Sequence, residues 1–324
     1  MARAIPLVAL WVCLAPACTA HRSLGLNIVV EADAAPDAVD AAPDTTDVAP
    51  RIPDAAPKIA DAAPDTADVA GVPAIPRAKE ACPTLSGLTG TNVTILGNSV
   101  KIWSGTAGAI GPMVFYWHAT NATADEAVAG LGPGTREVVA SGGVIAAFNE
   151  SNGAGTNTGD FTWFTGDFAT ADEILACAHQ QGLVDIRRIH SAGYSPGSCQ
   201  TAAMVYARAY LASVLCYSGG AMIMGSLPDP KNPPAILGAH GAVGSDIFGI
   251  DIASNTLLLE NDLKNKGAFV IDCDDGGDHL QSGPARLAGV SGPGWQFFKD
   301  HPYKVEPRPY QSLPSTFPAY CKIM

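Results

Sequence analysis

Basic residues are scarce in this chain. Lysine and arginine together number 19 against 31 aspartates and glutamates, giving a formal net charge of -12. A surface so short of cations cannot neutralise a phosphate backbone, which excludes nucleic acid as a partner class. Aromatic residues make up 7% of the chain and form no platform by spacing. No C-x2-C or H-x3-H pair occurs, so no zinc motif is present. The acidic run Cys273-Asp-Asp-Gly-Gly-Asp-His279 fails as an EF-hand, because the twelfth position from Asp272 is Gly283 rather than glutamate. The one N-terminal apolar stretch, Ile5 to Leu14, is too short to cross a bilayer as a helix.

That stretch reads instead as an export signal over residues 1–20, with Arg3 as its charge and small residues after it. Cleavage is expected after Ala20 or just before Cys18; the second would leave Cys18 as a lipidated, membrane-attached N-terminus. Residues 21–77 follow as a tether. Asp33, Asp40, Asp47, Asp54, Asp61 and Asp68 recur at a seven-residue period, and Pro36, Pro43, Pro50, Pro57 and Pro64 keep the same step. A heptad suggests a coiled coil, but a proline in most repeats removes the hydrogen bonds a helix needs. With so few large apolar residues the repeat has no core to bury and is expected to be extended and solvated. Much of the chain's acidity lies there.

Residues 78–324 have a different composition, and their length suffices for one α/β core. Eight cysteines occur, and six of them (82, 177, 199, 216, 273 and 321) lie in this part. An even set in an exported chain suggests disulfides, and Cys82 and Cys321 are placed to tie the ends of the domain. Strand and helix patterns alternate. An edge hairpin is predicted around Gly97-Asn98, and buried strands at Met113–Trp117 and Val144–Phe148. A helix over Ala171–Gln181 is predicted to be capped by Thr170. Further strands are predicted at Ile186–Ser191, Val214–Tyr217, Ala235–Gly238 and Ala268–Ile271, with a helix over Asn255–Lys266. Such alternation predicts a mostly parallel sheet covered by helices on both faces. Sites in such sheets lie beyond the carboxyl ends of the strands, here the loops after Trp117, Gly193 and Ile271.

The middle loop is the most telling. Gly193-x-Ser195-x-Gly197 lies between a strand and a helix, the pattern of a turn that lifts one hydroxyl above the sheet edge. A serine hydroxyl needs a base to take its proton and an acid to orient that base. In the chain order serine, acid, histidine, His279 is the candidate base, Asp246 the candidate acid and Asp251 the alternative. Backbone N–H groups of Ala119 and Thr120, after the first buried strand, are candidates to hold an oxyanion. His118 is either part of that loop or a structural histidine.

The stretch Asp185-x-x-Arg188-Ile189-x-x-x-Gly193-x-Ser195-x-Gly197 resembles the extracellular α/β-hydrolase esterases that include polyhydroxybutyrate depolymerases and feruloyl and acetylxylan esterases. So do Trp117-His118, the Cys273–His279 loop and Trp295-Gln-Phe-Phe-Lys-Asp-His-Pro302. The resemblance covers roughly residues 80–324. It implies Ser195 as nucleophile, Asp246 as acid, His279 as base and oxyanion donors near Ala119 and Thr120; the chain is read as an exported, monomeric carboxylic-ester hydrolase with no cofactor or metal. Two positions depart from it. Ala119 stands where the group usually has glycine, and Pro196 stands where the residue after the nucleophile normally donates its N–H to the oxyanion. Pro196 motivates an alternative: a catalytically weak or inactive hydrolase-like domain that binds a ligand at the cell surface.

Overall fold

The chain enters its main sheet at one edge, through strands β1 (Thr89–Ile95) and β2 (Asn98–Ser104), paired antiparallel. The turn between them is Leu96-Gly97, one residue earlier than predicted. Both turn residues take positive φ, 48° and 81°, the backbone that matches the right-handed twist of a tight hairpin. The computed structural model describes residues 72–324 apart from 154–162, 222–223, 245, 248–249, 281 and 306–307. The predicted export signal, Cys18 and the Asp/Pro repeat lie outside the described residues, as do the side chains of 246 and 247. Before β1, Ile75 and Ala78 already pack on the core, and the backbone amides of Lys79 and Glu80 donate to the Glu173 carboxylate.

Beyond β2 come β3 (Gly111–Trp117), β4 (Val144–Phe148), β5 (Val184–Tyr194), β6 (Ser213–Tyr217) and β7 (Ala235–His240). A two-residue ribbon follows, β8 (Asp246–Ile247) against β9 (Ile250–Asp251). The main sheet then gains β10 (Val270–Asp274) and closes on β11 (Cys321–Ile323). Its order is β1-β2-β4-β3-β5-β6-β7-β10-β11. The pairs from β4 through β10 are parallel, and the edge pairs are antiparallel.

β3, β4, β6 and β7 are buried along their whole length. That explains their unbroken apolar runs, since helices cover both faces of the sheet. Alternation still sorts the side chains. Met113, Phe115 and Trp117 join one core with α3 (Phe168–Gln180), α4 (Pro196–Ala207) and α5 (Ile252–Asn265). Val114 and Tyr116 join the other, with α1 (Glu126–Leu131), α2 (Gly134–Ala140) and α6 (Gly283–Asp300).

Three expectations are corrected. The helix predicted from Ala171 begins at Phe168, so Thr170 does not cap it; its buried hydroxyl accepts from Asn98 Nδ2 at 2.7 Å. Cys82 and Cys321 do not pair with each other. Cys82 bonds Cys177 of α3, and Cys321 bonds Cys273 across the β10–β11 pair, while Cys199 and Cys216 are buried thiols. Finally, α6 spans 18 residues where no helix was predicted.

Candidate active site

β5 ends at Tyr194 and α4 starts at Pro196, so Ser195 alone makes the turn. Its backbone sits at φ 55°, ψ -120°, a strained setting for a residue with a Cβ. Neighbours hold it there. The Ser195 N–H donates to Tyr217 O at 2.8 Å, and the Ser195 carbonyl accepts from the amides of Ser198 and Cys199. The flanking glycines are required by contact. A Cβ on Gly193 would lie 2.2 Å from Gly197 O, and one on Gly197 would lie 1.8 Å from Trp117 O. The spacing read from the sequence is therefore a packing rule: backbone crosses backbone where a methyl group would stand.

The turn presents Ser195 Oγ 2.9 Å from Nε2 of His279, which arrives on the loop after β10. His279 is held in place by Tyr194, whose hydroxyl donates to the His279 carbonyl at 2.8 Å and whose ring stacks on the imidazole. Burial, reinforced by the nearby Arg286 guanidinium, pulls the His279 pKa down to about 4. The imidazole is thus neutral near pH 7 and able to accept a proton. Arg286 is itself buried; it donates to Ser218 Oγ at 2.5 Å, to Asp275 Oδ1 at 2.6 Å and to the Asp278 carbonyl. Nδ1 of His279 is buried and has no hydrogen-bond partner among the described residues.

The two candidate acids face each other across the β8–β9 ribbon, Asp246 opposite Asp251. The side chain of Asp246 lies outside what the structure describes. Asp251 has another task. Its carboxylate accepts from the Ser254 amide at 3.0 Å and the Ser254 hydroxyl at 2.6 Å, capping α5.

The loop after β3 also differs from expectation. The Ala119 N–H, a candidate oxyanion donor, points at Glu126 Oε1 at 3.1 Å. The same oxygen accepts from the Tyr116 hydroxyl at 3.0 Å. Burial raises the Glu126 pKa to about 7, against those two hydrogen bonds. Thr120 is exposed beside it. His118 is buried as a structural residue. Its ring bridges the carbonyls of Ala119 and Asn149, and its own carbonyl accepts from Trp163 Nε1. Pro196 is the first residue of α4 and is buried; that position has no helical partner for an N–H, so the fold loses nothing by its absence. Sequence reasoning missed Glu126, Arg286 and the Tyr194 hydroxyl. Only Tyr194 carried a signal, lying inside the Gly-x-Ser-x-Gly turn.

No protein-family model matches the chain, and no curated protein matches it. Solved structures do. Native pOPH superposes with a TM-score of 0.57 at 14% identity, over 75% of this chain and 97% of that one. Native sOPH gives 0.57 at 13% identity, over 77% and 97%. A serine-to-alanine variant of pOPH, described as a complex with pNPB, gives 0.56 at 13% identity, over 75% and 96%. The fold is that of the α/β-hydrolases. In an α/β-hydrolase the strand-to-helix turn after the central strand is where a nucleophile stands, and Ser195 occupies that turn.

Proposed function

We propose that the chain is a serine hydrolase of carboxylic esters. The observation that carries this is the contact of 2.9 Å between Ser195 Oγ and His279 Nε2, made at a strained turn beyond the carboxyl end of β5. In this reading Ser195 Oγ attacks the ester carbonyl and His279 Nε2 takes its proton. The imidazolium then returns that proton to the leaving alcohol, giving an acyl-serine. Water, deprotonated by His279, releases the acid and restores the serine. Water is the only co-reactant. Asp246 is the proposed acid on His279 Nδ1, and the Thr120 N–H the proposed donor to the oxyanion. The substrate class proposed is a polyester or a plant-type acyl ester, from the resemblance to depolymerases and feruloyl esterases.

We also propose export and a monomeric state, with Cys18 as a candidate lipid attachment point. Two disulfides are compatible with an oxidising compartment. Among the described residues no helix is long and apolar enough to cross a membrane.

A second reading has specific support. Pro196 offers no N–H, and the Ala119 N–H is turned to Glu126. Each feature weakens a hydrolase, and together they suit a domain that binds its ligand without rapid turnover. One experiment separates the readings. The purified chain is treated with a fluorophosphonate serine probe and assayed on a short-chain p-nitrophenyl ester. Labelling and turnover, both lost in Ser195→Ala, are expected of the enzyme. A folded protein that neither labels nor turns over sinks that proposal and leaves the binding domain.

A further inference from the structure

A second cluster of chemistry-bearing side chains lies inside the protein, between β7, β10 and α5. His240 ends β7, Asp272 is central in β10, and Glu260 comes down from α5. Their exposures are 1%, 2% and 0%. The sheet register brings them together. Asp272 stands opposite Gly238, two residues before His240 in the neighbouring parallel strand, so His240 and Asp272 project from the same face. Glu260 fills the space over the missing side chain between them: a Cβ on Gly238 would lie 1.9 Å from Glu260 Oε1. One donor atom from each of His240, Glu260 and Asp272 lies within 4.8 Å of the others.

One feature of this cluster is unexplained by the described residues, and a second suits a metal. Neither carboxylate oxygen of Glu260 has a hydrogen-bond partner among the described residues, a costly state for a fully buried group. Nε2 of His240 also faces an acceptor. Nδ1 lies 2.6 Å from the Gly241 carbonyl, which can only accept, so Nδ1 carries a proton. Nε2 faces Asp272 Oδ1, 3.0 Å away; there the ring donates as a cation, or, once Nε2 gives up its proton, offers a lone pair to a metal. Lys322 pairs with the other oxygen, Asp272 Oδ2, at 3.1 Å from an exposed side chain, and Asp274 lies 4.0 Å from His240 Nδ1.

We propose that His240 Nε2, Asp272 and Glu260 bind a divalent transition metal of the zinc type. One imidazole and two carboxylates form a nitrogen/oxygen donor set that suits zinc. Tetrahedral bonds of about 2.0–2.1 Å place ligand atoms roughly 3.3 Å apart, close to the 3.0 Å found between His240 Nε2 and Asp272 Oδ1. The Nδ1–H to Gly241 carbonyl bond is the outer contact that fixes a ligating histidine in the tautomer it needs. Calcium fits poorly, since it takes six to eight oxygens. The site ties two strands and a helix together. Those strands lead into the loops that carry Asp246 and His279, so the metal would brace the frame of the candidate active site without entering it.

The test uses the full chain without a histidine tag, stripped with a chelator and titrated with zinc chloride. Expected are one tightly bound zinc per chain and a melting temperature raised by several degrees. Glu260→Gln, folded by circular dichroism, is expected to lose affinity by roughly 100-fold or more. Ser195→Ala is expected to bind zinc like the wild type. X-ray absorption of the zinc-loaded wild type is expected to show nitrogen and oxygen neighbours with an imidazole signature. Absence of stoichiometric binding, binding unchanged in Glu260→Gln, or sulfur in the zinc shell (pointing to Cys199 or Cys216) would overturn the assignment. The absorption result needs no variant, so it decides the matter even where Glu260→Gln fails to fold.

Discussion

Pro196 follows the candidate nucleophile, and two physical demands meet there. The first position of a helix favours proline, whose ring presets φ and whose missing N–H has no helical partner. Ester hydrolysis wants an N–H at that position, aimed at the charge that develops on the carbonyl oxygen. The sequence satisfies the fold, and with the Ala119 N–H held by Glu126 the proposed oxyanion site is short of donors. Pro196→Ala restores one donor at a cost in stability of about 1 kcal/mol or less. We expect kcat on an activated ester to rise roughly tenfold or more, up to the ~10²–10³ that one donor is worth. KM should barely move, because the donor acts on the transition state. A variant no faster than wild type, with Ser195→Ala inactive, would mean that the hole is already filled. His279 provides a second residue-scale test. Burial and Arg286 hold its pKa to about 4, whereas a carboxylate on Nδ1 would stabilise the imidazolium and raise it. The acid limb of kcat/KM reports this value for the free enzyme. We expect the limb near pH 4 in wild type and displaced to lower pH in Asp246→Asn. Identical limbs in the two proteins would remove Asp246 from the proposed triad.

At the scale of elements, α5 separates the two candidate acids. Asp251 is its N-cap, and an aspartate that satisfies the first amides of a helix stabilises it by typically ~1 kcal/mol. Asp251→Ala should lower stability to urea by about that amount and leave kcat/KM within roughly twofold. Asp246→Asn should do the reverse, with near-wild-type stability and a fall in kcat on the order of 10³–10⁴. If Asp251→Ala abolishes turnover in a folded protein, the roles are exchanged. The sequence had put Asp251 second for want of spatial information, since a cap and a catalytic acid look alike in one dimension. The buried strands were legible because helices cover both sheet faces, and their residues read as apolar runs bounded by turns. Helix α6 was not. Gly283, Pro284, Gly289, Gly292, Pro293 and Gly294 all fall within it, and on propensity alone they spell a loop. Packing decides instead: Leu287, Val290, Trp295, Phe297 and Phe298 bury one face of α6 in the second core. Ser195 and His279 could be singled out because a tight turn leaves a glycine signature and the chain order limits the base. Glu126 and Arg286 left no such mark, because their roles come from neighbours distant in sequence.

Across the whole molecule, neutral histidines are built into the interior. His190 lies in β5, stacked on Phe298 of α6 with centroids 4.5 Å apart, and its Nδ1 is 2.9 Å from Ser213 Oγ. Burial, helped by Arg188 and His301, lowers its pKa to about 3. Burial likewise lowers His301 and His279 to about 4 each. An unfolded chain protonates these rings near pH 6.5, and the folded one does not. Their contribution to stability is therefore complete above pH 6.5 and lost as pH falls towards 3–4, since the unfolded state then binds more protons. Glu126, raised to about 7 by burial, works in the opposite sense between pH 4.5 and 7, as does the buried Glu260. A bare pH–stability curve mixes these contributions, and a difference between two proteins isolates one. Urea unfolding of wild type and His190→Asn should be compared from pH 7.5 to pH 4. The wild-type advantage should be constant above pH 6.5 and then shrink by about 1.4 kcal/mol per pH unit below it. The carboxylates titrate alike in both proteins and cancel from the difference. A difference that does not change with pH would mean that His190 takes up its proton inside the fold as readily as in water. The stacking on Phe298 would then have to admit a charge.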